Sequence, residues 1–315
     1  MRFFTPLTPI EFNHKIDFNA RICALGSCFA QTIGDRLNYY KWATTINPFG
    51  VIFHPLAIEA MVERAVHHRV FTQDDLYRFG DTYHALEVHS TFMGDSPETL
   101  LTDLNGQLDL LRTGLLEASH LLITYGTAYG YRLKSTDQVV GNCHKLPQTL
   151  FDKYLLSPEE LQSSMEQTLV LLNQINPHAQ VIFTVSPVRH LKDGVVENGR
   201  SKAQLISSVH QVVAKDSNTV YFPAYELMMD VLRDYRFYEK DMIHPNDQAK
   251  DVIWEHFCKA AIDDALTPMM KAIDGIQKAM AHRPQHINSA EHQAFLAQLA
   301  QRIQDFQKRY PHIQF

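Results

Sequence analysis

Residues 21–40 read RICALGSCFAQTIGDRLNYY, and this stretch predicts the centre of the fold. A short apolar run over residues 22–25 stops at Gly26 and gives way to apolar residues spaced four positions apart. Those residues are Phe29, Ile33 and Leu37. A strand, a tight turn and a helix account for this change of period. We therefore expect a parallel strand whose carboxyl end runs directly into a helix.

Ser27 and Cys28 lie at the junction between this strand and this helix. Free N–H groups and the helix dipole at such a junction favour a developing negative charge, which suits a nucleophile. The alternative is that Ser27 only caps the helix and that Cys28 is a small buried hydrophobic residue. The junction by itself leaves both interpretations open.

The same alternation recurs along the chain. Further apolar runs predict strands at residues 43–46, 120–124, 180–185 and 219–222. Amphipathic segments predict helices at residues 55–68, 97–115, 157–175, 201–214 and 247–261. Short strands that alternate with helices predict a three-layer α/β domain with a mostly parallel sheet of about five strands.

Two segments lie outside this alternation. Residues 55–118 predict a helical insertion between the second and third strands, and its aromatic, polar part at 69–95 suits a lid or a pocket wall. Residues 266–315 predict a helical extension, broken at 282–284, that packs on the domain or on a second copy of the chain. We therefore expect an α/β domain at residues 1–265 and a tail through which a homo-oligomer could form.

Composition excludes several classes of partner. A formal net charge of −6 without a basic stripe argues against nucleic acid. No apolar run approaches the roughly 18 residues of a membrane span, and the start MRFFTPLTPIEF lacks a secretory pattern, so we expect a cytoplasmic protein. The four cysteines are widely spaced and are expected to be reduced thiols. The 17 histidines show no metal-ligand spacing, so neither a metal nor another cofactor is expected.

Asp241 and His244 follow the last predicted strand, and the loops after parallel strands meet at one edge of a sheet. An aspartate three positions before a histidine can hold the imidazole tautomer, while the other ring nitrogen takes a proton from a nucleophile. Such a spacing alone is more often found between solvent-exposed polar residues that have no catalytic role. Its position after a strand, and the order of nucleophile, aspartate and histidine, favour catalysis.

The block GSCFA at residues 26–30 resembles the signature of the GSCFA-domain family, distant relatives of the SGNH or GDSL hydrolases. Segments that look like the same family are NPFGV at 47–51, TYGTAY at 124–129, NCHK at 142–145, SPVRH at 186–190 and RFYEKDMIHP at 236–245. The resemblance implies a flavodoxin-like sandwich and ester chemistry. It implies that Asp241 and His244 are the catalytic aspartate and histidine, and that Gly50 is a glycine of the oxyanion hole.

The sequence departs from the SGNH pattern in two places. Where those hydrolases have Gly-Asp-Ser, this chain has Gly26, Ser27 and Cys28, so a cysteine stands at the nucleophile position. We favour Cys28 over Ser27 because a cysteine at a helix N-terminus beside a histidine is expected to have a lowered pKa. The third block has Gly126, a further candidate for the oxyanion hole, but lacks the asparagine that belongs there in those hydrolases. Asn142 either supplies that amide or only stabilises a turn.

The resemblance implies the type of reaction, but it indicates the substrate only in general terms. Arg189 and His190, with Arg200 and Lys202 nearby, predict contact with a substrate carboxylate or phosphate, and a solvated basic loop is an equal alternative. His144 is a further candidate for substrate binding. We expect an SGNH-like esterase, acyl hydrolase or acyltransferase that forms a covalent acyl-enzyme with an acylated small molecule or carbohydrate. The competing class is a non-catalytic binding or scaffold protein that keeps the fold.

Overall fold

The computed structural model describes residues 5–283, 286 and 289–315. Its strands are β1 (Arg21–Gly26), β2 (Ala43–Ile46), β3 (Tyr77–Phe79), β4 (Thr82–His84), β5 (Met93–Gly94), β6 (His120–Tyr125), β7 (Tyr129–Leu133), β8 (Gln138–Val140), β9 (Phe151–Leu155), β10 (Gln180–Val185) and β11 (Thr219–Phe222). Its helices are α1 (Cys28–Tyr39), α2 (Pro55–Val66), α3 (Pro97–Glu117), α4 (Pro158–Ile175), α5 (Val195–Val213), α6 (Ala224–Glu226), α7 (Asp247–Ala261), α8 (Thr267–Met280) and α9 (Ala290–Arg309).

The main sheet is parallel, and its strands lie in the order β2-β1-β6-β10-β11. This is the flavodoxin-like order, in which the direction of strand addition reverses between β1 and β6. The expected α/β fold with a five-stranded parallel sheet is therefore confirmed. In such sheets a ligand binds in the crevice outside the carboxyl ends of the strands at the reversal, which here are Gly26 and Tyr125.

Helices cover both faces of the sheet. In β1, Ile22 and Ala24 pack into the apolar core formed with α1, α6 and α7. Cys23 and Leu25 face the opposite way, into the core formed with α2, α3, α4 and α5. Strands that are buried on both faces need apolar residues at every position, which is why they read as continuous apolar runs in the sequence.

The structure departs from the predicted elements in three places. α5 begins at Val195 rather than at residue 201. The insertion is not only helical, because β3, β4 and β5 form a small antiparallel sheet between α2 and α3. A second antiparallel sheet, β8-β7-β9, lies between β6 and α4 and was not predicted. The strands of both small sheets are short and partly exposed, so they leave no sustained apolar period.

The tail packs on its own domain, which was one of the two arrangements that the sequence allowed. Met269, Ile273, Ile276, Phe306 and Ile313 form its core, against which Phe18 and Tyr40 of the domain pack. Asp274 accepts a hydrogen bond from the Tyr39 hydroxyl at 3.0 Å. Association of two copies through the tail stays a prediction. Pro284, at the predicted break between the tail helices, and residues 1–4 of the N-terminal segment lie outside the described residues.

None of the described helices is both long enough and apolar enough to cross a membrane.

Candidate functional site

Hydrogen bonds join the loops that follow β1, β2 and β6. Gly26 N–H donates to the Asn47 Oδ1 atom at 2.8 Å, and Ser27 N–H donates to the Thr124 carbonyl at 3.1 Å. Gly26 has a φ of 124°, and a Cβ there would lie 2.1 Å from the Thr124 carbonyl oxygen. Only glycine therefore lets the turn after β1 lie this close to β6.

The same edge of the sheet continues through the loops that follow β10 and β11. Ser186 N–H, after β10, donates to the Tyr125 carbonyl at 2.8 Å. Arg189 N–H donates to the Ile243 carbonyl at 3.3 Å, which connects this loop to the loop that carries His244. The structure thus brings the loops that carry Cys28, Gly50, Gly126, Arg189 and His244 together along the carboxyl edge of the sheet.

Ser27 and Cys28 occupy different environments at the start of α1. Ser27 is the N-cap, and its Oγ accepts a hydrogen bond from Phe29 N–H at 3.1 Å. Its side chain is 2% exposed. Cys28 is the first helical residue and is exposed. The capping role considered for Ser27 is therefore confirmed, whereas Cys28 is not a buried hydrophobic residue and can be reached by a substrate.

The prediction of a lowered thiol pKa at Cys28 is wrong. Although Cys28 is exposed as a residue, desolvation by the groups packed around the start of α1 raises the pKa of its thiol, and its own backbone N–H opposes this effect only in part. The sequence showed the helix N-terminus but not the packing around it. Because the thiol form prevails at neutral pH, a nucleophilic Cys28 would need a base to remove its proton.

Asp241 and His244 make the contact that their spacing predicted. His244 Nδ1 lies 2.7 Å from Asp241 Oδ2, and Asp241 Oδ1 accepts the backbone N–H groups of Ile243 and His244 at 2.8 and 3.0 Å. The backbone and side-chain hydrogen bonds from His244, followed by that from Ile243, lower the pKa of Asp241 to about 2. An ionised carboxylate only accepts, so Nδ1 carries the imidazole proton and Nε2 is free to accept another.

His244 does not hydrogen-bond Cys28 or Ser27 in the described part of the chain. The His244 side chain is 44% exposed. Its charge contributes to lowering the pKa of His190, after the larger effects of burial and Lys202, so these residues share one region of the edge. Asp241 and His244 are thus paired, whereas the complete triad with Cys28 stays a prediction.

The two glycines predicted for the oxyanion hole already use their N–H groups. Gly50 donates to the Asn47 carbonyl at 2.7 Å, and Gly126 donates to the Phe53 carbonyl at 2.8 Å. Neither N–H can therefore donate to a substrate in this conformation. The N–H of Cys28 belongs to the first turn of α1, where backbone donors lack intrahelical acceptors, and it is the better placed donor.

Asn142 and His144 belong to the wall beside the edge. Asn142 Oδ1 accepts the His144 N–H at 2.9 Å, which supports the turn-stabilising interpretation of Asn142. His144 is 4% exposed, and its ring nitrogens contact the Val88 carbonyl at 2.9 Å and His84 Nδ1 at 3.2 Å. Substrate binding by His144 is therefore not supported, because both ring nitrogens are used inside the insertion.

Arg189 and His190 both lie at the predicted edge, but they differ in charge. Arg189 lies beside Tyr238, where its charge opposes the rise in the tyrosine pKa that burial causes. His190 packs on Phe53 with ring centroids 4.9 Å apart. Burial lowers the pKa of His190 to about 3, so this residue is neutral and does not add to a cationic cluster.

Two polar residues of α5, which the sequence pattern did not indicate as functional, hold the loops at the edge of the sheet. Asn198 and Ser201 are 3% and 2% exposed. The Asn198 Oδ1 atom accepts the His190 N–H at 2.8 Å, and Ser201 Oγ accepts the Ala128 N–H at 2.8 Å. These bonds fix the backbone of the loops after β10 and β6.

Lys202 completes this polar face of α5. It is 1% exposed, and its Nζ donates to the carbonyls of Gly126 and Ser186, both at 2.7 Å. Burial lowers the pKa of Lys202 to about 7. In the sequence, these polar residues stand at helical spacing on one face of α5, and the same face is apolar further along the helix. The apolar positions are Leu205, Val209 and Val212.

A cavity of about 280 Å³ opens beside the Gly126 turn. Its walls come from the loops after β2, β6 and β10 and from the β8-β7-β9 sheet. A larger groove of about 1130 Å³ lies among α1, α7 and α8, away from these loops. Within the described ranges, no three side chains of His, Cys, Asp or Glu form a group that could hold a metal ion.

The strand order and the crevice at the reversal between β1 and β6 make this a doubly wound α/β protein of the flavodoxin-like type. Within that class, the chain belongs to the GSCFA family, whose sequence model matches residues 21–257. A second model, described as the C-terminal domain of GSCFA domain proteins, matches residues 273–315. A comparison with curated proteins found no match.

Proposed function

We propose that this GSCFA-family protein is an SGNH-like hydrolase or acyltransferase that acts on an acylated small molecule or carbohydrate. Cys28 is the nucleophile, His244 the base, and Asp241 the group that orients the base. The observation that supports this best is the 2.7 Å contact between His244 and Asp241 at the edge where Cys28 begins α1. A free thiol nucleophile also fits a reducing, cytoplasmic compartment.

In the first half-reaction, Cys28 Sγ attacks the acyl carbon and its proton passes to His244 Nε2. The raised pKa of Cys28 makes this transfer necessary. Asp241 stabilises the imidazolium that forms. His244 then protonates the leaving alcohol as the C–O bond breaks, which leaves the acyl group on Cys28 as a thioester.

In the second half-reaction, water or an acceptor alcohol attacks the thioester. His244 removes the proton of the attacking group, the C–S bond breaks, and the proton returns to Cys28. Water gives hydrolysis and an alcohol gives acyl transfer. The oxyanion formed in each half-reaction lies at the start of α1, where the Cys28 N–H and the helix dipole favour negative charge.

The approach of His244 to Cys28 is the step that substrate binding must complete. Catalytic hydrogen bonds are often long or unformed in free enzymes and tighten in the complex with substrate. His244 is exposed enough to move, and its loop is joined to the edge by the bond between Arg189 and Ile243.

A non-catalytic binding protein is the second candidate. The raised pKa of Cys28 and the occupied N–H groups of Gly50 and Gly126 favour it. The ordered pair of Asp241 and His244 argues against it, because a binding surface does not require an oriented imidazole.

Covalent labelling separates these candidates. The full chain is treated with a fluorophosphonate and, separately, with an iodoacetamide probe, and the modified residue is located by mass spectrometry. Turnover of p-nitrophenyl acetate and of an acetyl thioester is measured in parallel. We expect iodoacetamide labelling at Cys28, loss of turnover in Cys28→Ala, and full turnover in the control Cys258→Ala, whose free thiol lies in α7. No turnover of either substrate and no preferential labelling of Cys28 or Ser27 would favour the binding protein.

A further inference from the structure

The cavity beside the Gly126 turn contains a buried histidine without partners. His54 is 5% exposed, and neither ring nitrogen has a hydrogen-bond partner among the described residues. Its ring lies against Gly130, where a Cβ would be 2.5 Å from His54 Nε2. A larger residue at position 130 would displace the ring, so this glycine makes room for the imidazole at the cavity wall.

Burial makes this imidazole neutral. It lowers the pKa of His54 to about 3, and the backbone of Ala128, which approaches the ring without the geometry of a hydrogen bond, partly opposes this effect. A neutral imidazole offers one donor and one acceptor. Buried polar atoms in proteins are almost always paired, so two unpaired ring nitrogens at a cavity wall indicate a ligand or ordered water that pairs with them.

His190 supplies a second neutral imidazole to the same cavity. Its Nε2 atom is also buried without a partner, and a Cβ on Gly126 would lie 3.0 Å from it. Because the Arg189 N–H donates to the Ile243 carbonyl, the loop that carries His190 adjoins the loop that carries the proposed base His244. A group bound in the cavity would therefore lie beside the reacting ester.

The charged side chains that line the cavity are paired with each other, except for one lysine at the rim. Lys153 forms an ion pair with Asp193, and its amine lies 4.7 Å from the centre of the Tyr129 ring. Lys192 is exposed. An anion inside the cavity would meet neutral imidazoles, whereas hydroxyl groups can both donate to and accept from them.

The volume and the aromatic walls limit the ligand further. Pockets that enclose drug-sized ligands begin at roughly 300 Å³, so a cavity of about 280 Å³ has room for one small unit. Phe53, Tyr129 and Tyr131 line it. Aromatic rings beside polar groups suit a ligand that has apolar C–H faces and a hydroxylated edge.

We propose that this cavity binds a single uncharged monosaccharide unit, whose hydroxyl groups pair with the neutral imidazoles of His54 and His190. This assignment rests on the proposed function, in that the sugar is the alcohol part of the ester or the acceptor of the acyl group.

Binding is tested on the full chain without reference to turnover. Glucose, galactose and N-acetylglucosamine are added at millimolar concentrations, with hexanoate and inorganic phosphate as competitors of other chemistry. Imidazole resonances are followed by nitrogen–proton correlation spectra. We expect at least one sugar to shift the resonances of His54 and His190. Shifts caused only by hexanoate or phosphate, or by none of the five compounds, would overturn the proposal.

Variants locate the binding and separate it from catalysis. His54→Phe keeps a ring but removes both polar atoms, and we expect at least about a tenfold loss of sugar affinity. His120→Phe is the matched control, because His120 is also buried but begins β6 at the opposite edge. The spectra of the unaltered protein decide the case if His54→Phe does not fold. Unchanged affinity in a folded His54→Phe would overturn the assignment.

Cys28→Ala distinguishes this proposal from the proposed function. Its sugar binding should equal that of the unaltered protein, because the cavity does not use the thiol. Sugar binding without turnover of any ester would refute the proposed chemistry and leave the sugar site in place. Ester turnover without sugar binding would refute the sugar site and leave the chemistry in place.

Discussion

The buried amine of Lys202 donates a hydrogen bond to the carbonyl oxygen of Gly126 at 2.7 Å, and no carboxylate pairs with that amine in the described ranges. The same amine donates to the Ser186 carbonyl. A neutral amine has two N–H donors, which match these two acceptors. Because burial lowers the pKa of Lys202 to about 7, the ends of β6 and β10 are held by a group that changes charge near neutral pH.

Stability should therefore depend on pH through Lys202. Between pH 7 and the ordinary lysine pKa of 10.5, the unfolded chain binds a proton that the folded protein does not, so the free energy of unfolding rises with pH. Lys202→Met should remove that rise and, at pH 9, cost roughly 1–3 kcal/mol for each carbonyl left unpaired. Urea unfolding at pH 6.5, 8 and 9.5 measures both effects. Exposed Lys215, paired with Glu166, gives the control Lys215→Met. Parallel pH curves for Lys202→Met and the unaltered protein would contradict the expectation.

The nucleophile is tested by exchanging the two candidates. If Cys28 attacks, Cys28→Ser should lower turnover by at least about a hundredfold, because the base must activate a much less acidic group. Ser27→Ala should cost about 1 kcal/mol of stability through loss of the helix cap, with iodoacetamide labelling of Cys28 retained. The labelling rate should rise with pH around a midpoint above the ordinary thiol pKa, since burial raises it. Full turnover in Cys28→Ala together with none in Ser27→Ala would assign the serine instead.

Asp241→Asn tests the orientation of the base. The amide cannot replace a carboxylate that accepts the His244 Nδ1 proton and two backbone N–H groups, so we expect kcat/KM to fall at least about a hundredfold. The control is Asp247→Asn, because Asp247 is 92% exposed and begins the next helix. Equal activity of the two variants would remove Asp241 from the mechanism.

The low pKa of Asp241, about 2, also predicts that its contribution to stability is present above the ordinary aspartate pKa of 3.8 and is lost as the pH falls through 2.

Two buried serines of α5 allow a role in positioning the site to be tested apart from a contribution to overall stability. Ser201 Oγ accepts the Ala128 N–H beside the site, whereas Ser208 Oγ donates to the Pro158 carbonyl at 3.1 Å at the start of α4. Ser201→Ala should cost roughly 1–3 kcal/mol by leaving the Ala128 N–H unpaired, and Ser208→Ala about 0.5–1.5 kcal/mol through the loss of one hydrogen bond. Only Ser201→Ala should speed hydrogen exchange at Ala128 and lower kcat/KM, by about tenfold. Equal effects of both variants on kcat/KM would show that Ser201 acts through overall stability alone.

The sequence predicted the main sheet well because its central strands β1, β6 and β10 are buried along almost their whole length. The runs at Gln180–Val185 and Thr219–Phe222 were predicted with the same bounds that the structure has. The Asp241 and His244 pair was predicted because both residues belong to one short loop, where spacing decides contact. The small sheets were missed because strands such as Tyr129–Leu133 are half-exposed and mix glycine and arginine with aromatic residues.

The remaining site features depend on contacts between distant segments. His144 pairs with His84, 60 residues earlier, and no local pattern shows that its nitrogens are used there. The N–H of Gly126 is taken by the Phe53 carbonyl, a contact between two loops on different strands. The pKa of Cys28 depends on how far the groups packed around the start of α1 desolvate its thiol. Each of these properties arises from packing, which the order of residues along the chain does not display.

The parallel pairing of β1 with β6 also limits how quickly the site can assemble. Arg21 N–H bonds Ser119 Oγ across 98 residues, and the whole insertion lies between the two paired strands. Such non-local pairs incur a large loss of chain entropy before they gain contacts, and proteins dominated by them fold slowly. An insertion that collapses early would shorten the effective separation of β1 and β6. Substitutions in the insertion that leave the native stability unchanged can thus still delay the appearance of activity during refolding.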